Sequence, residues 1–201
     1  MEKPADIQYP IHDILRRRWS PRAFSDRPVE PEVLRSLFEA ARWAPSSGNS
    51  QPWHYLIARK EDTAEFDLML HCLAEGNIAW CKDVPLLMFS VANLRWEKTG
   101  EPNRHAFHDV GQAAAQLTVE AVSRGLFVHQ MGGILVEKIR ETYGLPDGFE
   151  AVAGFAVGYP GDPDRLPEKL RVREIAPRTR KPIESFVFSG RWRETAPIVK
   201  P

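Results

Sequence analysis

At 201 residues, 43% of them hydrophobic and 27% charged, the chain has the make-up of an ordinary globular protein able to bury a sizeable core. Its 27 Lys and Arg balance its 27 Asp and Glu, so overall charge gives no argument for a nucleic-acid or membrane partner, and any anion site must come from a local cluster. The two cysteines, Cys72 and Cys81, form no CxxC pair and have no matching His/Cys quartet, so nothing suggests zinc; a reduced, cytoplasmic protein is the simplest reading, with a disulfide between them the less expected alternative.

Residues 11–18, IHDILRRR, read as a short helix with Ile11, Ile14 and Leu15 inward, stopped by Pro21. Residues 31–44 form a clearer helix: Pro31 suits its first turn, Leu34, Leu37, Phe38 and Ala41 share a face, and Pro45 ends it. Residues 53–59 predict a strand and 62–73 a helix. The continuous apolar run 84–92 predicts a strand buried on both faces. Residues 93–104, with Gly100 and Pro102, read as a loop.

A long helix is expected over about 105–124, with Phe107, Val110, Ala114, Leu117 and Ala121 spaced three and four apart and Gly125 as its C-cap. The passage LFVHQMGG reads as a loop or bent strand, residues 133–143 as a helix ending at Gly144 and Pro146, and 151–160 as a strand and turn. A stretch rich in Pro and charge follows over 161–177, then IESFVF, 183–188, as a last strand. No repeat or linker divides the chain, so one domain over residues 1–201 is expected. Irregular alternation of helices with about four strands predicts an α+β or three-layer architecture. The opening residues lack a basic-then-apolar signal, and no apolar run reaches the length of a membrane span. No GxGxxG follows a strand and no GxxxxGK[ST] occurs, so Rossmann and P-loop readings lack their fingerprints.

Three segments invite a chemical reading. Arg16, Arg17, Arg18, Ser20 and Arg22 read either as a solvated helix end favoured by the helix dipole or as an anion site of guanidinium forks and a hydroxyl. The segment Pro45–Ser46–Ser47–Gly48–Asn49–Ser50–Gln51–Pro52 reads either as a capped polar turn or as a loop that offers hydroxyls and amides to a polar heteroaromatic edge. RTRKP, 178–182, is a basic loop that would complete a phosphate cradle with the first cluster. His105 and His108 stand three apart but have no carboxylate at ligand spacing, so no metal is expected. His129 reads as a contact to a ligand or as a satisfied interior histidine. Trp43, Trp53 and Trp192 read as core or interface residues.

These segments occur in the order of a known family. The chain resembles the FMN-dependent nitroreductase family of nitroreductase, NADH oxidase and flavin reductase-like proteins. The resemblance is carried by Arg18–Trp19–Ser20–Pro21–Arg22–Ala23–Phe24, by Pro45–Ser46–Ser47 with Asn49, Gln51, Pro52 and Trp53, by Gly76–Asn77 with Trp80, and by Asp109, Gly111 and Ala113. It continues with Gly125–Leu126 and Met131–Gly132–Gly133, Gly158–Tyr159–Pro160, and Arg180–Lys181–Pro182. It covers about residues 11–192.

What the resemblance implies is a homodimer with a three-layer fold, its central mixed, mostly antiparallel sheet flanked by helices, and two FMN sites at the subunit interface. Arg18, Ser20, Arg178 and Arg180 would meet the FMN phosphate, while Arg22 and Asn77 would face the pyrimidine end of the ring. Ser46, Ser47 and Asn49, with Pro45 and Gln51 beside them, would arrive from the other subunit. Met131, Gly132 and Gly133 would line the flavin. Trp19 stands where Arg or His is common in the family, and Trp80 where some members place a Lys, which leaves Arg22 as the principal nearby cation. The implied activity is ping-pong hydride transfer from NAD(P)H through flavin N5 to a small acceptor such as a nitroaromatic or quinone, with the loop 93–104 facing substrate. No side chain is expected to act as an acid or base, because the cofactor carries the redox chemistry. A non-catalytic FMN store or sensor, a dehalogenase or oxygen-using member of the same fold, and a basic interaction patch at Arg16–Arg18 are the competing readings.

Overall fold

A computed structural model describes residues 2–199. Eleven helices and strands of the described chain follow in the order α1 (Asp13–Arg17), α2 (Pro31–Arg42), β1 (Trp53–Arg59), α3 (Thr63–Leu70), α4 (Glu75–Cys81), β2 (Leu86–Asn93), α5 (Ala106–Ser123), β3 (Phe127–Met131), α6 (Val136–Tyr143), β4 (Phe149–Gly158) and α7 (Glu168–Ile175). The strands form one sheet in the order β1-β2-β4-β3, antiparallel in all three pairings. The sheet is thus antiparallel throughout, within the mixed, mostly antiparallel expectation.

Strand periodicity builds the layers. Successive side chains point to opposite faces, so Leu86 and Met88 of β2, with Phe155 and Val157 of β4, pack under α2 and α5 through Leu34, Leu37, Ala113, Ala114 and Leu117. Leu87 and Phe89, with Ala156, pack on the other face with Phe66 and Met69 of α3, Trp80 and Cys81 of α4, and Ile139 of α6. Helix layers therefore cover both faces of the sheet. Full burial of a side chain such as Phe89, which is 0% exposed, contributes roughly 2–3 kcal/mol in transfer free energy.

The element ends follow local chemistry. Pro31 opens α2, where its missing N–H costs nothing. Gly125, at φ 78°, ends α5 in the left-handed region, and Leu126 N–H returns to the Ala121 carbonyl at 2.9 Å.

One sequence expectation is narrowed and two change. The LFVHQMGG passage contains a true edge strand, β3, fully paired to β4 from Phe127–Gly158 to Met131–Gly154. The proline- and charge-rich stretch contains α7. The last strand, 183–188, does not form: Ile183–Ser185 is a single tight turn and Phe188 makes one bridge to Thr195. Alternating apolar residues make a strand only where a neighbouring ladder receives them, and Phe186 is left 61% exposed.

Candidate active site

The two basic segments meet. Arg18, Trp19, Ser20 and Arg22 from the chain after α1, and Arg173, Glu174, Arg178 and Arg180 from α7 and the segment after it, line one cleft of about 210 Å³ together with Lys3. Six cations therefore share a cleft with one carboxylate. Burial and the neighbouring Arg180 push the Arg18 pKa down. Burial, then Arg18 and Arg180, do the same to Arg178. Guanidinium groups stay charged in proteins, so these shifts record first the cost of burying the charges and then their mutual repulsion, and an anion would offset both. Arg178 also donates to the backbone carbonyls of Lys3 at 2.6 Å and Arg16 at 3.2 Å, which locks the tail onto α1.

The peptide that carries Arg22 is held on several sides. His129 of β3 stands with Nδ1 2.8 Å from the Pro21 carbonyl, which requires the Nδ1–H tautomer. Burial pushes the pKa of this histidine down to about 4, and the nearby Arg22 charge acts in the same direction. The neutral ring therefore donates at ordinary pH. Both Glu174 carboxylate oxygens accept the Arg22 amide, at 2.9 and 3.0 Å, and Oε1 also accepts the Ala23 amide at 3.1 Å.

Helix α4 joins this corner to the glycine passage after β3. Asn77 donates to the Gly133 carbonyl at 2.9 Å. Trp80 stacks on Phe24 with ring centroids 6.4 Å apart, lies 4.7 Å from the His129 ring, and has the Arg22 guanidinium 6.0 Å from its centroid. Cys81 Sγ is 3.5 Å from Met131 Sδ. A Cβ at Gly133 would stand 2.6 Å from Asn77 Nδ2 and displace that side chain from its hydrogen bond, whereas a Cβ at Gly132 would meet nothing within 4 Å. Gly132 thus offers open backbone. Trp80, at 3% exposure, is a core residue and a platform under Arg22.

The Pro45–Gln51 segment lies away from this cleft. It leads into β1, one edge of the sheet, while β3 is the other edge, three strand spacings or about 14 Å across. Its backbone is unusual: Gly48, Asn49 and Gln51 have φ of 56°, 54° and 46°. The buried Asp109 of α5 accepts the Ser47 amide at 3.0 Å, and Ser46 Oγ accepts the Gln51 amide at 3.0 Å. Pro45 and Asn49 are exposed. One chain therefore gathers Arg18, Trp19, Ser20, Arg22, Arg178 and Arg180 in one place, sets Asn77 against Gly133 with Met131 alongside, and holds Pro45, Ser46, Ser47, Asn49 and Gln51 apart from both.

Sequence reasoning missed Lys3, Arg173 and Glu174 in the cleft. Glu174 is 152 positions from Arg22, and no local pattern marks it. Trp43 and Trp192, expected in a core or an interface, are 71% and 81% exposed on this chain. His105 caps α5 without a side-chain hydrogen bond, and His108 stands 3.0 Å from Gln112. No group of three or more metal-ligating side chains occurs among the described residues, and none of their helices is long and apolar enough to cross a membrane.

A helix-covered antiparallel sheet thus carries a cleft of six cations and one carboxylate, and open glycine backbone follows β3, a set of groups with the chemistry to take an anion. The chain belongs to the Nitroreductase family, which it matches over residues 15–159. It is similar to a solved oxidoreductase containing FMN, with TM-score 0.87 and 36% identity over 93% of this chain and 95% of that one. It is 29% identical to an NADH dehydrogenase of Thermus thermophilus across 89% of this chain and 93% of that protein. An uncharacterized 15.4 kDa protein of Mycolicibacterium smegmatis is 45% identical over 89 residues, 44% of this chain and 60% of that protein.

Proposed function

We propose that the chain is an FMN-dependent NAD(P)H oxidoreductase that works as a homodimer on small acceptors such as nitroaromatics or quinones. The observation that carries this reading is the cleft of mutually repelling guanidiniums beside the open Gly132 backbone and Asn77. Those residues fit FMN. Arg18, Ser20, Arg178 and Arg180 suit a phosphate, which accepts charge-assisted hydrogen bonds from guanidinium forks. Asn77 and Arg22 suit the polar edge of the ring, and Met131, Gly132 and Gly133 its face. When bound, FMN would supply the redox chemistry, two-electron hydride transfer at N5 between NAD(P)H and the acceptor in a ping-pong cycle.

The chain's own residues then have three tasks. The arginines bind and orient the cofactor. Arg22 stabilises negative charge that develops at the pyrimidine end. Ser46, Ser47 and Asn49, which stand on the far sheet edge of their own chain, serve the site of a second copy related by a two-fold axis.

The purified protein is expected to be yellow and to bleach anaerobically with NADH or NADPH. A colourless protein that takes up no added FMN sinks the flavin reading, and a yellow one that neither nucleotide bleaches is an FMN store. The shared site has its own test. Co-expressed Arg18→Ala and Asn49→Ala chains form one intact site per mixed dimer if the loop acts across the interface, and none if it acts within its chain.

A further inference from the structure

We infer that Glu174 is a positioning residue, which fixes the backbone that aims Arg22 and thereby ties the tail half of the cleft to its N-terminal half. This rests on the flavin reading above. Glu174 lies beyond the residues matched to the family and is 1% exposed. A buried carboxylate usually pairs with a cation or caps its own helix. This one does neither: its three hydrogen bonds all come from the Arg22 and Ala23 amides. The ammonium of Lys3 reaches the Glu174 backbone carbonyl instead.

The arrangement matters because Arg22 belongs to no helix or strand, so no ladder sets its φ and ψ. Tertiary hydrogen bonds do so: His129 on the Pro21 carbonyl, Glu174 on the next two amides, and Gly161 N–H on the Ala23 carbonyl at 2.9 Å. Of these, Glu174 alone acts on the amide of Arg22 itself. It also stands four residues before Arg178 and six before Arg180, so its hold on the Arg22 and Ala23 amides joins the tail segment that carries those guanidiniums to the N-terminal half of the cleft. Removing it would leave two amides without acceptors, Ala23 being 6% exposed, and an orphaned buried donor drives its peptide to turn. The guanidinium would then leave its place over Trp80.

The test compares Glu174→Gln, Glu174→Asp and Glu174→Ala with Arg22→Ala in the full chain. Two quantities are read: FMN affinity of the apoprotein and the midpoint potential of the bound flavin. Gln removes the charge but keeps an oxygen at the Oε1 position, which accepts both amides. Asp keeps the charge but retracts the acceptor by one methylene. Asp and Ala are expected to weaken FMN binding about tenfold and to reproduce the Arg22→Ala shift of potential. A tenfold loss of preference for reduced flavin is about 30 mV more negative for a two-electron couple. Gln is expected to bring FMN affinity to within threefold of the parent and the potential to within the corresponding value of about 14 mV. A purely structural role would lower melting temperature in all three Glu174 variants and leave the potential alone, which would overturn the inference. So would a Gln variant shifted as far as Ala. If Ala does not fold, the Asp and Gln pair decides alone. A parent protein that takes up no FMN overturns the flavin reading as well, whereas a parent that binds it and an unshifted Asp variant overturn this inference only.

Discussion

The cleft on the β3 side draws charge from residues as distant in sequence as Lys3 and Arg180, while the Pro45–Gln51 loop on the β1 edge is one contiguous run without a single charge. The two also store unfavourable energy differently. In the cleft it is electrostatic, recorded in the downward shifts of Arg18 and Arg178. In the loop it is conformational, since left-handed backbone at a non-glycine residue costs roughly 1–2 kcal/mol. A bound anion relieves the first. The second is offset by Asp109 and Ser46, which accept backbone amides that the turn would leave unpaired. In the proposed dimeric site, the contrast would divide the work between a half that attracts the ligand and a half shaped in advance to meet it.

Four experiments put this contrast to the test. The largest effect is expected from Arg18→Ala combined with Arg180→Ala. Hydrogen bonds to charged groups contribute roughly 1.5–3 kcal/mol each, so FMN affinity should fall at least 100-fold at fixed salt. An affinity within threefold of the parent would remove the cleft from the site.

The second concerns His129. Its folded pKa, about 4, lies below the ordinary 6.5, so the unfolded chain binds the proton more readily. Stability from this group is therefore complete above pH 6.5 and is lost as pH falls toward 4. The span is worth at most about 3 kcal/mol. Urea midpoints taken across that window should drop accordingly, and a midpoint that stays level from pH 6.5 to 4 would show that the ring is not held neutral.

Third, Asp109→Ala strands the Ser47 amide and should cost about 1–3 kcal/mol, read by thermal or urea unfolding. It should also disturb the loop's contribution to FMN binding while the phosphate-dependent salt sensitivity persists. Equal loss of that sensitivity would mean that the two halves are not separable. The smallest effect belongs to Gln51→Gly, which relieves the left-handed strain but adds unfolded-chain entropy, for a net gain of roughly 0.5 kcal/mol. A destabilised variant would show that the Gln51 side chain outweighs its backbone cost.

Legibility in the sequence follows how local the cause is. β1 was readable to its last residue, because Trp53–Arg59 is bounded by Pro52 and by the polar turn after Arg59. α2 and α5 were readable from periodicity and from Pro31 and Gly125. β3 was not, since five residues with His129 and Gln130 among them carry no strong strand signal and form a strand only because β4 receives them. The reverse holds for 183–188, a strand-like run that no ladder receives. Within the site, Arg18, Ser20, Arg22 and the Ser46–Asn49 loop were visible as motifs, but Glu174 was not, because hydrogen bonding between residues 152 positions apart leaves no pattern in either neighbourhood.

By itself, then, the order of residues determined the family, most of the helices, the double-faced burial of β2 and the chemistry on offer in each motif, all of which depend on spacing and residue type over short stretches. The three-dimensional fold alone shows that the two basic segments share one cleft, that Trp80 is a buried platform under Arg22, and that the Pro45–Gln51 loop leads into the sheet edge opposite β3, where the arginines of its own chain gather. The reason is physical. Charge convergence and sheet order are set by which strands pair across long loops, and a neutral total charge says nothing about where the fold will gather the cations.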